Sequence, residues 1–231
     1  MAEGEKAPPL TPWRLLRTLR RHPSGLLLAV QLLGILLYPL MEHAAVGRAL
    51  FGAFGIVVLS LVLWVVNRSQ AVNWIAWALA IPAVLLSLLA NFAAMPSLLS
   101  VAYLLEALLY FYASIGLIYY MLDDQRITVD ELVAAAATFT LLAWGFAYAF
   151  SVCQAWYPGS FSGAGPGEVR SWLELLFLSF SMISGVGLSD IVPVTSPARA
   201  LSMLAMFSGV MYIAIVVSRL ISLTVVRHQA R

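Results

Sequence analysis

Read for its apolar and polar positions, the chain is a series of long apolar runs broken by short polar turns: Leu26–Met41, Ala49–Val66, Val72–Ala90, Leu98–Leu122, Leu132–Trp156 and Leu201–Val226. A helix needs about 20 consecutive, mostly apolar residues to cross a bilayer. These runs reach or approach that length and predict six transmembrane helices. A further apolar stretch, Trp172 to Ile183, is long enough for a helix and too short to cross, so it can only enter the membrane and turn back. Between it and the last run lies a polar, glycine-bearing loop, Ser184-Gly185-Val186-Gly187-Leu188-Ser189-Asp190. Non-helical backbone at membrane depth is tolerated only where it is buried in protein or faces water. Facing a water-filled axis, its carbonyl oxygens can replace the hydration shell of a cation. The expected fold class is an all-α membrane protein, with a re-entrant pore helix and filter loop between the fifth and sixth transmembrane helices.

Composition strengthens that reading. Hydrophobic residues make up 62% of the chain and charged ones 10%, against an apolar share of about 45–50% in soluble domains. The partner this implies is the lipid bilayer. A net charge of +2, carried mostly by arginines near helix ends, gives no reason to expect nucleic acid as a partner. The single Cys153 can form neither an intrachain disulfide nor a cysteine metal site.

Residues 1–22 read as a cytoplasmic segment. Within it, Leu15, Leu16 and Leu19 share one helical face and Arg14, Arg17 and Arg21 the other. Such a helix suits an anionic membrane surface, and its arginines also suit fixing the orientation of the helix that follows. Counting basic residues beside the spans puts Arg14, Arg17, Arg20, Arg21, Arg68, Arg126, Arg219, Arg227 and Arg231 on one side, and Arg48, Arg170 and Arg199 on the other. Basic residues favour the cytoplasmic side. The expected protein is therefore a multi-pass component of the cell (inner or plasma) membrane with both termini cytoplasmic and the loop from Tyr157 to Arg199 outside.

Residues 23–122 form the expected peripheral domain of four helices. Its fourth helix, Ser97 to Met121, has no Lys or Arg. Moving one charge across 100 mV is worth about 2.3 kcal/mol, and voltage sensing needs several such charges, so strong voltage gating is not expected. Glu106 lies well inside this span, and an intramembrane acid is a functional candidate by default. A hydrogen-bonded structural role is the commoner fate of such a residue. The pore domain is expected at residues 128–227, opening with Thr128 as a helix cap and Glu131 three residues on.

The loop and its flanks resemble the potassium-channel pore family, in the form of six-helix bacterial ion-channel proteins with one pore loop. Phe177 to Ile183 stands where that family has its pore helix, and Gly185-Val186-Gly187-Leu188-Ser189-Asp190 where it has T-V-G-Y-G-D. Ile191-Val192-Pro193-Val194-Thr195, with Pro197-Ala198-Arg199, is similar to the family's link to the inner helix, and the likeness runs back to about Thr128. The resemblance implies a homotetramer around one axis, with a monovalent cation held by the backbone carbonyls of Gly185, Val186, Gly187 and Leu188. It also implies a gating hinge at Gly209, where contact with a neighbouring helix is the ordinary alternative. Potassium or sodium is the permeant ion, and no cofactor is expected.

Departures from the pattern shape the expectation of selectivity. Gly185 stands for a threonine and removes a hydroxyl, with that of Ser184 just below; Leu188 stands for a tyrosine and removes a phenol. Ser189 stands for a glycine whose backbone shape a Cβ disfavours by roughly 1–2 kcal/mol. Asp190 keeps the acid at the mouth. A weakly potassium-selective pore, a non-selective monovalent cation channel and a non-conducting channel homologue all stay open. A transporter is a weaker alternative, since the halves show no internal repeat. An intramembrane serine protease would need a histidine at membrane depth, and His22, His43 and His228 all fall at or beyond helix ends, so no enzyme is expected.

Overall fold

The computed structural model describes residues 23–42, 57–62, 73–93, 96–123, 129–163 and 169–219, with Gly55, Trp64 and Ile221. The amphipathic arginine helix expected before Pro23, the cap at Thr128 and the last turns of the sixth span lie outside the described residues. So do parts of the second span, of which residues 57–62 are helical.

Besides the helical residues of the second span, the described residues form six α-helices in order: α1 (Pro23–Glu42), α2 (Asn73–Ala93), α3 (Pro96–Asp123), α4 (Val129–Trp156), α5 (Trp172–Ile183) and α6 (Ser196–Tyr212). The last continues without a break into a π-helical turn, Ile213–Val217. The fold is an all-α membrane protein. Among the described residues, stretches of α3 (Ser97–Leu122), α4 (Glu131–Trp156) and α6 with its π turn (Ser196–Val216) are long and apolar enough to cross a membrane. The apolar stretches of α1 and α2, Ser24–Pro39 and Trp74–Ala90, are shorter, inside helices of 20 and 21 residues.

Helix α4 is the centre of the molecule and packs against α1, α3, α5 and α6. Its sequence explains why. Ala134, Ala137, Ala143 and Ala147 are fully buried, and small side chains let neighbouring backbones approach closely. Larger residues between them, Leu141, Trp144 and Phe150, fill the space this leaves. Polar side chains inside α4 are matched locally or across helices: Thr140 donates to Gln31 Oε1 of α1 at 2.6 Å, and Tyr212 of α6 donates to the Ala135 carbonyl at 2.5 Å. An unmatched hydroxyl at this depth would cost on the order of 1–3 kcal/mol.

Helix α6 starts earlier than the apolar pattern predicts. The expected first residue was Leu201, with Pro197-Ala198-Arg199 in a link; the helix instead begins at Ser196. Thr195 caps it, its hydroxyl accepting from the Ala198 N–H, and Pro197 lies in the first turn, where its missing N–H costs nothing. The polar first turn hides this start from a search for apolar runs.

Candidate functional site

The short apolar stretch folds as the sequence predicts, a 12-residue helix from Trp172 to Ile183. In the sequence two acids, Glu168 and Glu174, flank its start, where negative charge suits the helix dipole. Glu168 lies outside the described residues, and Glu174 does more than complement the helix dipole. Ser171 is the N-cap: its hydroxyl accepts from the Glu174 N–H at 3.4 Å, and Glu174 Oε2 accepts from the Ser171 N–H at 2.7 Å. This capping box satisfies two otherwise orphaned donors. The Ser171-Trp172-Leu173-Glu174 spacing carries that signal in the sequence.

Arg170 fastens the same end to its surroundings. Its guanidinium bonds Glu174 Oε1 at 2.6 Å and donates from Nε to the Ser162 carbonyl at 2.9 Å. Its backbone exchanges two 2.9 Å hydrogen bonds with the Gln154 amide at the end of α4. Burial pushes the Glu174 carboxyl up, but the Ser171 N–H and the Arg170 guanidinium outweigh it and hold the group below its ordinary value. What the carboxylate contributes is therefore present at neutral pH and lost as pH falls through that lowered value.

Trp172 sits among rings from two other helices: Trp144 in T-shaped contact at 4.9 Å, Tyr38 at 5.5 Å and Tyr148 at 5.6 Å between centroids. Further along, Ser179 donates to the Ala143 carbonyl of α4 at 2.7 Å. Helix α5 is thus held at its start by rings and a capping box, and at its middle by a buried hydrogen bond.

The loop beyond it has a defined backbone. Ser184 N–H donates to the Phe180 carbonyl at 3.0 Å, Gly185 N–H to Met182 at 3.2 Å and Gly187 N–H to Ser181 at 3.1 Å. The donors are turned back onto α5. Among the described residues, no hydrogen bond is made to the carbonyl oxygens of Gly185, Val186, Gly187 and Leu188. Gly185 and Gly187 have φ of 74° and 71°, the left-handed region that side-chain-bearing residues disfavour. A Cβ at either would meet nothing within 4 Å, so backbone shape and not space calls for glycine. Gly185 is therefore more than a threonine without its hydroxyl; it adopts a conformation that a β-branched residue resists.

Beyond the glycines, Val186 and Leu188 expose their side chains, Ser184 and Asp190 are exposed, and Ser189 is half-buried. Ser189 accepts the Ile191 N–H on its hydroxyl at 3.0 Å, which starts the turn out of the loop. The segment that follows is clamped against the stretch that comes after α4. Phe161 and Pro193 form an antiparallel bridge, with Ser162 N–H on the Val192 carbonyl (2.9 Å) and Val194 N–H on the Ser160 carbonyl (2.8 Å). The Ser160 hydroxyl shares a 3.0 Å hydrogen bond with Thr195, the cap of α6. Both ends of the loop are thus anchored to the same outer segment. Gly209, in the middle of α6, lies against the end of α5: a Cβ built on it would stand 2.0 Å from the Ile183 carbonyl oxygen.

Residues 135–226 match the family model described as ion channel. Over this stretch the chain is similar to the ion-channel family. The matched stretch takes in most of α4, all of α5, the loop and α6, so the geometry above lies inside it. Neither a curated protein nor a solved structure matches the chain.

Proposed function

We propose that four copies of this chain surround one axis and conduct monovalent cations, potassium in preference to sodium but weakly, through the carbonyl oxygens of Gly185, Val186, Gly187 and Leu188. The observation that carries this reading is the loop's backbone: the N–H groups of Gly185 and Gly187 bond back to α5, and the carbonyls from Gly185 to Leu188 are left for another partner. Backbone oxygens that stand in for water around an ion need that arrangement. The C-terminal end of α5 meets the loop, and a helix C-terminus carries a partial negative charge that favours a cation nearby.

Assembly is supported by α6. Only 28% of its apolar span is buried, against 67% for α4, and Met203, Leu204, Phe207 and Val210 are exposed along it. One loop cannot ring an axis, and closed rotational symmetry supplies both the ring and the cover. In this reading residues 128–227 are the pore, residues 23–122 its peripheral shell, and both termini are cytoplasmic in the cell membrane. The protein is a channel and not an enzyme.

A non-selective monovalent pore is the second reading, favoured by Leu188. Its side chain is 69% exposed and offers no polar group to tie the outer loop to surrounding helices. Reversal potentials across planar bilayers with potassium on one side and sodium on the other separate the two. The first reading expects a potential displaced toward that of potassium. A potential near zero selects the second, and absence of conductance by the inserted protein contradicts both.

A further inference from the structure

Glu106, the one acid within the fourth apolar run, lies buried in the middle of α3. Ser87 of α2 donates to its Oε1 at 3.2 Å, and Tyr148 of α4 lies beside the same carboxylate. One carboxylate therefore stands where two peripheral helices meet α4. The titratable groups around it are Tyr103 and Tyr110 on α3 itself and Tyr148 on α4, with Tyr38 of α1 acting on Tyr103. Among the described residues no basic side chain acts on it. Whether a buried carboxyl without a counter-charge carries its proton depends on which donors reach it.

Two phenols lie on its side, Tyr148 of α4 and Tyr110 of α3. Tyr110 is one helical turn from Glu106 on the same face of α3, and its hydroxyl is buried with no hydrogen-bond partner among the described residues. The two rings stack, with centroids 5.5 Å apart and planes at 17°. A buried hydroxyl left unsatisfied is costly, so a regrouping of the carboxyl with Tyr110 has a partner waiting.

Both rings lead to the same place. Tyr148 packs against Trp172 at 5.6 Å, and Tyr110 reaches it through Trp144, at 5.9 Å and then 4.9 Å. Trp172 is the first residue of α5, whose far end presents the loop. From this geometry we infer that Glu106 is a positioning residue for the filter: gain or loss of its proton regroups the carboxyl between Tyr148 and Tyr110, moves Trp172 with them and so adjusts the helix that holds the loop. The bistable element is the phenol pair, and the pore is biased through it. The inference rests on the channel reading.

The test uses the full chain in potassium-loaded lipid vesicles, with efflux followed from mildly acidic to mildly alkaline medium. Wild-type flux is expected to change severalfold over that range, and Glu106→Gln, which keeps the shape and one acceptor but cannot titrate, to give the same flux throughout. Tyr148→Phe, which removes the hydroxyl beside the carboxylate, is expected to keep the response with a displaced midpoint. Glu106→Asp should restore part of what Glu106→Gln removes. An infrared carboxyl band that titrates in the wild type and is missing from Glu106→Gln reports the proton without needing any flux. A wild-type pH profile retained in Glu106→Gln overturns the inference and leaves the channel reading intact, as does wild-type flux that stays flat while the carboxyl band titrates. Absence of flux from correctly folded wild type at every pH removes the channel reading, and the inference with it.

Discussion

Gly209→Ala is expected to lower the thermal stability of the detergent-solubilised protein and to reduce ion flux with it. In an ordinary helix interior the same change adds roughly 1 kcal/mol of stability, because alanine loses less conformational freedom than glycine on folding. Here the added methyl would stand 2.0 Å from the Ile183 carbonyl oxygen and 2.6 Å from the Ile183 Cα, both backbone atoms. Neither can swing aside as the tip of a side chain would, so α6 and the end of α5 must separate. Overpacking of this kind costs about 1–3 kcal/mol, enough to reverse the gain from helix propensity. A glycine kept only to let the helix bend would show the opposite sign, with alanine raising the melting temperature. The direction of the shift in a thermal melt therefore tells close contact from bending. The π turn at Ile213–Val217, one turn further along, is the irregular part of the described inner helix, and helices bend where their hydrogen-bond ladder departs from the α pattern.

Gly187→Ala is expected to abolish most conduction and to lower the melting temperature only modestly. A Cβ at this position has open space around it, so the core is not disturbed; the cost comes from φ of 71°. That conformation disfavours a side-chain-bearing residue by roughly 1–2 kcal/mol, once in each subunit of a ring, and each 1.4 kcal/mol is about a factor of ten in an equilibrium. Flux from vesicles should fall at least about tenfold on that scale. Full flux through Gly187→Ala would mean that the loop's backbone shape does not matter to permeation. Gly185→Thr, which restores the resemblance on paper, meets the same obstacle at φ of 74° with a stiffer side chain.

Helix α5 was legible to the residue, because an apolar run bounded by Ser171 and by Ser184-Gly185 has sharp edges on both sides. Helix α3 was nearly so, extending the expected Leu98–Leu122 to Pro96–Asp123. Helix α4 begins at Val129, the first residue after the expected cap and three residues before the apolar run that opens at Leu132, since Asp130 and Glu131 interrupt apolarity but not the helix. The start of α6 was missed for the same reason: hydropathy does not see a capped polar first turn.

What the sequence concealed are the contacts between distant positions. Ser160, Phe161 and Ser162 meet Val192, Pro193 and Val194 some thirty residues on, through backbone groups that every residue type possesses. The close neighbour of Gly209 became visible only with Ile183 in place. The left-handed backbone at Gly185 was masked by the likeness itself, which treats the position as a substituted threonine. Glu106 stood out as an acid in an apolar run, yet its partners, Ser87 and Tyr148, look like ordinary polar residues of two other helices until the fold brings them together.

The measurement that bears most directly on the account is a density map of the assembled particle in potassium-containing buffer. The expected result is fourfold symmetry, with density for unhydrated ions on the axis between rings of carbonyl oxygens from Gly185 to Leu188. A particle of any other symmetry, or a map in which this loop faces lipid away from the axis, would contradict it.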